Sequence, residues 1–157
     1  MSALLAAIVA VPLAAAALAI VAWHHRRVQR AIGVVATAAT LAIAVAILVH
    51  VDHDGIVAVQ MGGWPAPIGI TLVADLFSGL MLVVGIATVL AVLVYAIGQP
   101  GCDDLPAFHP VYLVMTAGIG LSFLTGDLFN LFVAYEVTLA ASYVLITIGG
   151  RADQVRS

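Results

Sequence analysis

The sequence contains few charged residues and few of the side chains that soluble proteins use to bind ligands. It has no lysine, a single glutamate and a single cysteine, and only 8% of its residues are charged. A soluble domain carries roughly 25% charged residues, so this chain cannot present a polar surface to water. Its net charge of -3 also argues against nucleic-acid binding. The lone Cys102 excludes an intrachain disulfide and a metal site made of several cysteines.

What the sequence has in excess is apolar residues, which make up 64% of it and gather in five long runs. A bilayer core of roughly 30 Å needs about 20 residues in helical form, because backbone groups in lipid must bond within the helix. We therefore predict an all-α membrane protein of five transmembrane helices, forming a single domain over residues 1–157. The predicted spans are residues 3–23, 31–50, 73–98, 110–126 and 128–149.

The arginines predict the orientation of these spans. Arg26, Arg27 and Arg30 lie between the first two spans, and Arg151 and Arg156 follow the fifth. With five spans, both groups fall on one side of the membrane, which the positive-inside rule makes cytoplasmic. The N-terminus is then outside and the C-terminus inside. We expect a multi-pass protein of a cell membrane, most simply the cytoplasmic membrane of a prokaryote.

Two other patterns concern the outer loop and the packing of the helices. Glycines and prolines in the loop over residues 51–70 predict turns and a small hairpin on the outer surface. Asp75 follows this loop at the start of the third span, where an acid suits a helix N-terminus and could also assist ion entry. A stripe of small residues on the fourth span predicts close approach of another helix. Its members are Gly118, Ser122 and Gly126.

Glu136 is the residue whose position points most clearly to chemistry. Asp127 suits the N-cap of the fifth helix, because its carboxylate can accept from the free amides of the first turn. Glu136 follows nine residues later, and at about 1.5 Å per residue it lies roughly 13 Å deeper, near mid-membrane. A charged residue there costs about 2.5–3.5 kcal/mol and commonly belongs to a proton relay. We predict a buried proton carrier; the alternative is a protonated glutamate that only hydrogen-bonds a neighbouring helix.

The hydroxyl groups near this acid have two interpretations. Tyr135, Asp127 and Asp75 are candidate supporting residues for Glu136. Thr138, Ser142 and Tyr143 could surround the same carboxyl group or form ordinary hydrogen bonds between helices.

No cofactor or metal is predicted. His50, Asp52, His53 and Asp54 lie close together, but their spacing matches no known set of metal ligands. The sequence also shows no nucleotide, haem or flavin motif, which argues against redox chemistry in this chain.

Two segments resemble a known family of transporters. The segment from Leu121 to Tyr143, with Thr-Gly-Asp-Leu-Phe-Asn-Leu-Phe ahead of Glu136, resembles the D subunit of the Mrp-type multisubunit Na⁺/H⁺ antiporters. The segment from Gly62 to Asp75 resembles the loop before the third helix of that protein. The family belongs to a superfamily of antiporter-like membrane subunits found also in respiratory complex I and membrane-bound hydrogenases. The resemblance covers most of this chain and only the N-terminal part of such a subunit.

This resemblance implies a secondary transporter subunit, not an enzyme, that moves protons and Na⁺ together with other subunits of a complex. Glu136 matches the family's essential membrane glutamate, which pairs with a lysine on a later helix. Because this sequence has no lysine and only five predicted spans, we expect a truncated chain, a fragment or one half of a split subunit. Two alternatives remain: a proton-pumping membrane subunit of an NADH–quinone oxidoreductase or hydrogenase, and a non-transporting remnant or assembly protein.

Overall fold

The computed structural model describes residues 1–64, 68–99, 103 and 105–148, and within them the chain forms five α-helices. Four of these helices are long and apolar enough to cross a membrane, and the fourth in chain order is a shorter apolar helix. The predicted all-α membrane class is therefore confirmed. The helices are α1 (Ser2–Val21), α2 (Arg26–Asp54), α3 (Leu76–Gly98), α4 (Phe108–Leu124) and α5 (Leu128–Thr147).

The first four helices form a closed ring. α1 packs against α2 and α4, and α3 packs against the same two helices, while α5 packs against α4. Aliphatic side chains fill the centre of this ring. Lipid tails are as apolar as these side chains, so close van der Waals packing, more than removal from water, stabilises the bundle. The fully buried members of this core include Leu5, Ile8, Ile47, Leu82, Ile86 and Leu124.

The second helix is longer than the predicted span over residues 31–50. It begins at Arg26 and ends at Asp54, so the cluster of histidines and aspartates expected in the outer loop is helical instead. Polar residues do not interrupt a helix that continues beyond the bilayer, and His50 and Asp54 support it by pairing across one turn at 2.9 Å. The residue after the helix is Gly55, whose φ of 84° is a conformation that favours glycine.

The outer loop contains the predicted hairpin. Strand β1 (Val57–Gln60) pairs with strand β2 (Thr71–Ala74) in a two-stranded antiparallel sheet. Pro65 and Pro67, two of the residues that predicted turns in this loop, lie outside the described residues. The register pairs Val57 with Ala74, Ala58 with Val73, Val59 with Leu72 and Gln60 with Thr71.

Strand β2 also determines where the fourth helix ends. This helix, predicted over residues 110–126, ends at Leu124, because Thr125 leaves the helix with extended backbone and the next residue bonds to the strand. The amide of Gly126 donates to the carbonyl of Thr71 at 2.7 Å. The third member of the predicted small-residue stripe therefore lies beyond the helix, against the hairpin.

Candidate functional site

Glu136 lies on the face of α5 turned away from α4. Ala134 is fully buried and Thr138 is partly buried, and each lies two residues from Glu136. Each residue of an α-helix turns by about 100°, so two residues bring a side chain to nearly the opposite face. The side chain of Glu136 is accordingly exposed. This corrects its predicted burial: within this chain, α5 packs by the opposite face and leaves the glutamate uncovered.

Two glycines of α4 allow its neighbours to approach closely. A β-carbon on Gly118 would lie 2.5 Å from the hydroxyl oxygen of Thr138 and 3.3 Å from the carbonyl oxygen of Ala134. A β-carbon on Gly120 would lie 2.5 Å from a methyl group of Ile8 on α1. The packing role predicted for Gly118 is confirmed, and Gly120 does the same on the other side of α4. Because these glycines place α5 and α1 on two sides of α4, they fix the direction in which Glu136 points.

The hydroxyl groups near Glu136 divide between the two faces of α5. The Thr138 hydroxyl donates to a carbonyl of its own helix at 2.9 Å, and the Ser142 hydroxyl donates to the sulfur of Met115 at 3.5 Å. Both therefore belong to the packed side. Tyr135 and Tyr143 are exposed, as Glu136 is. Of the predicted hydroxyl groups, only these two tyrosines lie on the uncovered side with the acid.

Asp127 is the N-cap of α5, as predicted. One of its carboxylate oxygens accepts from the amide of Asn130 at 2.6 Å, and the other accepts from the amide of Thr71 at 3.3 Å. The Asn130 side chain is buried and donates to the Thr125 hydroxyl at 2.9 Å. Asp127 thus attaches the start of α5 to the hairpin. It also fixes where the helix begins, nine residues before Glu136.

Asp75 is the N-cap of α3, again as predicted. Its carboxylate accepts from the backbone amide of Ser78 at 2.7 Å, and the Ser78 hydroxyl accepts from the amide of Asp75 at 2.8 Å. This reciprocal pair is a capping box. The hydrogen bond from the Ser78 amide holds the pKa of Asp75 below its ordinary value, so the carboxylate stays ionised.

The four predicted site residues do not come together at one point. Tyr135 and Glu136 are neighbours on the exposed face of α5, whereas Asp75 and Asp127 begin their helices beside the hairpin. Among the described residues, no three histidine, cysteine or acidic side chains are grouped so that they could hold a metal ion.

A polar cluster that sequence reasoning missed lies at the other end of the bundle, where α2 begins. Two nitrogens of the Arg30 guanidinium donate to the two carboxylate oxygens of Asp103 at 2.6 and 2.8 Å. Nε2 of His109 lies 3.2 Å from the same carboxylate, and Asp103 and His109 are each 1% exposed. Burial alone would raise the pKa of Asp103, but the hydrogen bonds from Arg30 and His109 hold it below its ordinary value. Asp103 is therefore a buried carboxylate with an arginine counter-ion.

Gln29 belongs to the same cluster. We call this end of the bundle, where α2 begins with Arg26, Arg27 and Arg30, the arginine end. The fully buried side-chain amide of Gln29 donates to the carbonyls of Ala19 at 2.9 Å and Pro106 at 3.0 Å, which joins α1, α2 and the connection before α4. The predicted topology contains one indication of this cluster. Arg30 and Asp103 flank spans whose connections are predicted on the same side, and in a chain with few charges they are natural partners. Their contact confirms that these two connections share one side of the bundle.

No family model matches this sequence. The D subunit of the Na⁺/H⁺ antiporter of Alkalihalophilus pseudofirmus is 40% identical to this chain over 133 residues. The matched stretch covers 84% of this chain and 27% of that protein, so the chain spans about a quarter of its relative's length. The resemblance carried by the segments around Glu136 and Asp75 is thereby confirmed.

Two solved structures contain the same fold. A chain of the Mrp complex from Dietzia sp. superposes with a TM-score of 0.86 at 34% identity, over 94% of this chain and 28% of that chain. A chain of the membrane-bound sulfane sulfur reductase, an archaeal respiratory membrane complex, superposes with a TM-score of 0.88 at 25% identity, over 96% of this chain and 31% of that chain. The fold is shared by both complexes, whereas the sequence is nearer to the Mrp chain.

Proposed function

Because this chain is related in sequence and in fold to part of the D subunit of the Mrp-type Na⁺/H⁺ antiporters, we propose that it forms a membrane part of a multisubunit monovalent cation/proton antiporter. The observation that carries this proposal is 40% identity over 84% of the chain. The chain is then a transporter subunit and not an enzyme. Its partners are the other subunits of the complex, its substrates are protons and Na⁺, and its location is the cell membrane.

Glu136 is the proton carrier of this proposal. An acid at this depth is stable in a bilayer when it faces protein or a water-filled path, and among the described residues nothing covers the exposed face of α5 that carries Glu136. The face therefore requires cover from other helices of the antiporter. The sequence has no lysine, so a lysine counter-ion for a charged Glu136 comes from outside this chain. Proton affinity then depends on the partner: a nearby cation favours the carboxylate, and its withdrawal favours the protonated form.

The other predicted site residues take lesser roles. Asp75 and Asp127 cap α3 and α5, so they position the helices rather than carry protons. Tyr135 precedes Glu136 on the exposed side of α5 and can donate a hydrogen bond from its phenol to a carboxylate or to water there.

The proposal can be tested with a chimeric antiporter. This chain would replace the homologous segment of a complete D subunit within its multisubunit complex, in everted membrane vesicles of a host that lacks its own antiporters. Collapse of a preformed pH gradient is then followed after addition of Na⁺, K⁺ or Li⁺. We expect the chimera to exchange at least one of these cations for protons, and the comparison of the three identifies the coupling ion.

Variants of the chimera test the acid separately from the subunit. Glu136→Ala should abolish exchange, and Glu136→Asp should retain part of it, because the carboxylate is only about one methylene further back. Asp54→Asn, which changes an acid paired with His50 at the far end of α2, is the matched control and should leave exchange unchanged. An active Glu136→Ala chimera would refute the role of the acid. An assembled but inactive wild-type chimera would refute the antiporter assignment.

A second candidate function rests on the respiratory neighbour. The fold matches a chain of the sulfane sulfur reductase with a TM-score of 0.88, so the same five helices also occur in a respiratory complex. In that case electron transfer in partner proteins would drive the proton movement. The vesicle assay separates the two functions, because an antiporter works from a pH gradient alone whereas a redox-driven pump requires an electron donor.

A further inference from the structure

Two buried atoms at the arginine end of the bundle have no hydrogen-bond partner among the described residues. They are the amide oxygen Oε1 of Gln29 and the ring nitrogen Nδ1 of His109. Gln29 is 0% exposed and His109 is 1% exposed. Buried polar atoms are nearly always satisfied, because an unmade hydrogen bond in a protein interior costs about 1–3 kcal/mol. Two such atoms in one cluster point to a hydrogen-bond donor that binds there.

The neighbouring ion pair determines which nitrogen of His109 carries the hydrogen. Arg30 donates to both oxygens of Asp103, so Asp103 is a carboxylate and can only accept hydrogen bonds. The Nε2 of His109, at 3.2 Å from that carboxylate, must then donate. A neutral imidazole has one N–H, so Nδ1 presents a bare lone pair to the protein interior.

Two residues of α2 bear on the surroundings of Nδ1: Gly33, which has no side chain, and Gln29, whose amide oxygen has no partner among the described residues. Nδ1 lies 3.1 Å from the point where a β-carbon of Gly33 would stand, so the missing side chain opens space above the ring nitrogen. The Gly33 carbonyl already accepts from Thr37 at 2.8 Å. Gln29 precedes Gly33 by one helical turn on the same face of α2, so the residue with the unpartnered oxygen lies beside Gly33 on that face.

Among the described residues, the charges that face His109 come from two elements. Burial disfavours a charged ring, Asp103 in the connection before α4 favours it, and Arg30 and Arg26 on α2 oppose it. The contacts described here from α1 and α3 are uncharged. On α1, the carbonyl of Ala19 accepts a hydrogen bond from Gln29, and on α3, a methyl group of Leu93 lies beside Gly33. Among the described residues, a proton bound at Nδ1 would therefore have one direct counter-ion, Asp103.

We propose that Nδ1 of His109 is a second proton-binding site of this protein, with Asp103 as counter-ion and the Gln29 amide oxygen as acceptor of the bound proton, directly or through one water molecule. The imidazole takes the proton from hydronium and releases water, so no other reactant is needed. This site lies at the arginine end of the bundle, on α4, and does not depend on Glu136 or on the proposed antiport.

Binding of this proton also affects the contact that holds the arginine end together. With His109 charged, Asp103 has two cationic partners, and the imidazolium repels Arg30. Proton uptake at this site is therefore linked to the strength of the Arg30–Asp103 pair, which connects the start of α2 to the segment before α4.

The test is solid-state NMR of the complete chain in liposomes with ¹⁵N-labelled histidine. His109 is identified by the signals that disappear in His109→Gln. At pH 8 we expect a protonated Nε2 and a bare Nδ1, and on acidification to pH 5 we expect both nitrogens to carry hydrogen. A neutral form with the hydrogen on Nδ1, or an Nδ1 that stays bare down to pH 5, would overturn the proposal.

Variants identify the partners of the bound proton. Gln29→Met should lower the proton affinity of His109 about tenfold, one pH unit in the titration midpoint. Asp103→Asn should lower it further, by about two pH units, because the counter-ion is lost. Asp54→Asn is the matched control: it removes the acid that pairs with His50 at 2.9 Å, and it should change the signals of His50 alone. Midpoints for His109 that stay unchanged in both cluster variants would also overturn the proposal.

Discussion

Arg30 and Asp103 form a two-point contact, in which two guanidinium nitrogens lie 2.6 and 2.8 Å from the two carboxylate oxygens. The two residues are 73 positions apart in the sequence, so the contact joins the start of α2 to the segment that precedes α4. The Asp103 side chain is 0% exposed and that of Arg30 is 35% exposed. A pair of this kind is strong because the carboxylate has no water to replace a lost partner.

The first prediction concerns the stability that this pair provides. Removing one partner of a fully buried ion pair costs about 3–5 kcal/mol, and the partial exposure of Arg30 reduces the expected loss to about 2 kcal/mol. We expect this loss for Asp103→Asn in thermal unfolding followed by circular dichroism in detergent. Arg30→Lys should also destabilise the protein, because an ammonium group cannot make the two-point contact. An unchanged unfolding temperature in both variants would contradict the prediction.

The second prediction concerns acid. The pKa of Asp103 is lower in the folded protein than its ordinary value of about 3.9 in an unfolded chain. The carboxylate therefore contributes stability that is fully present above about pH 4 and is lost as the pH falls through the folded-state value. The wild-type chain should lose stability below about pH 4 more steeply than Asp103→Asn. Asp75, whose pKa is also lowered, is present in both proteins, so its contribution cancels in the difference between the two curves.

How far the sequence predicts this structure depends on the type of interaction. Long apolar runs predict the helices, and an aspartate ahead of a run predicts the caps at Asp75 and Asp127, because both signals are local. The exposed position of Glu136 could not be predicted, since it depends on which face of α5 meets Gly118. The partnership of Arg30 with Asp103 depends on a distant contact, which no local pattern encodes.

The third prediction concerns the contact between α4 and α5. Gly118→Ala places a methyl group 2.5 Å from the Thr138 hydroxyl oxygen, so the helices must separate. We expect a loss of stability of about 1–3 kcal/mol, as for other overpacked interiors. Gly98→Ala is the matched control, because a β-carbon at the end of α3 meets nothing within 4 Å. Equal unfolding temperatures for the two variants would show that α5 is not packed tightly on α4.

The fourth prediction concerns orientation. If the arginine end faces the cytoplasm, a cysteine introduced at Asp54 in a Cys102→Ser background should react with a membrane-impermeant maleimide applied to intact cells. In the unaltered chain, Cys102 should react only after permeabilisation. The reverse pattern would place the hairpin inside the cell.

The last prediction concerns the uncovered face of α5. In liposomes that contain only this chain, a lipid-soluble photoactivated carbene reagent should label α5 on one side, and mass spectrometry of its peptides should locate the labels. We expect labels at Phe132, Glu136 and Leu139, which are exposed, and none at Ala134 or Ala141, which are buried.

The same labelling in the assembled chimera tests what this face is for. If other helices of the antiporter cover the face that carries Glu136, the labels on it should be lost there, while the exposed Phe77 on α3 serves as an internal reference for reagent supply. Labels at Glu136 that persist in an active, assembled complex would show that the acid faces lipid. A lipid-facing glutamate has neither a counter-ion nor a water path, so that result would remove the physical basis for proton transfer through it.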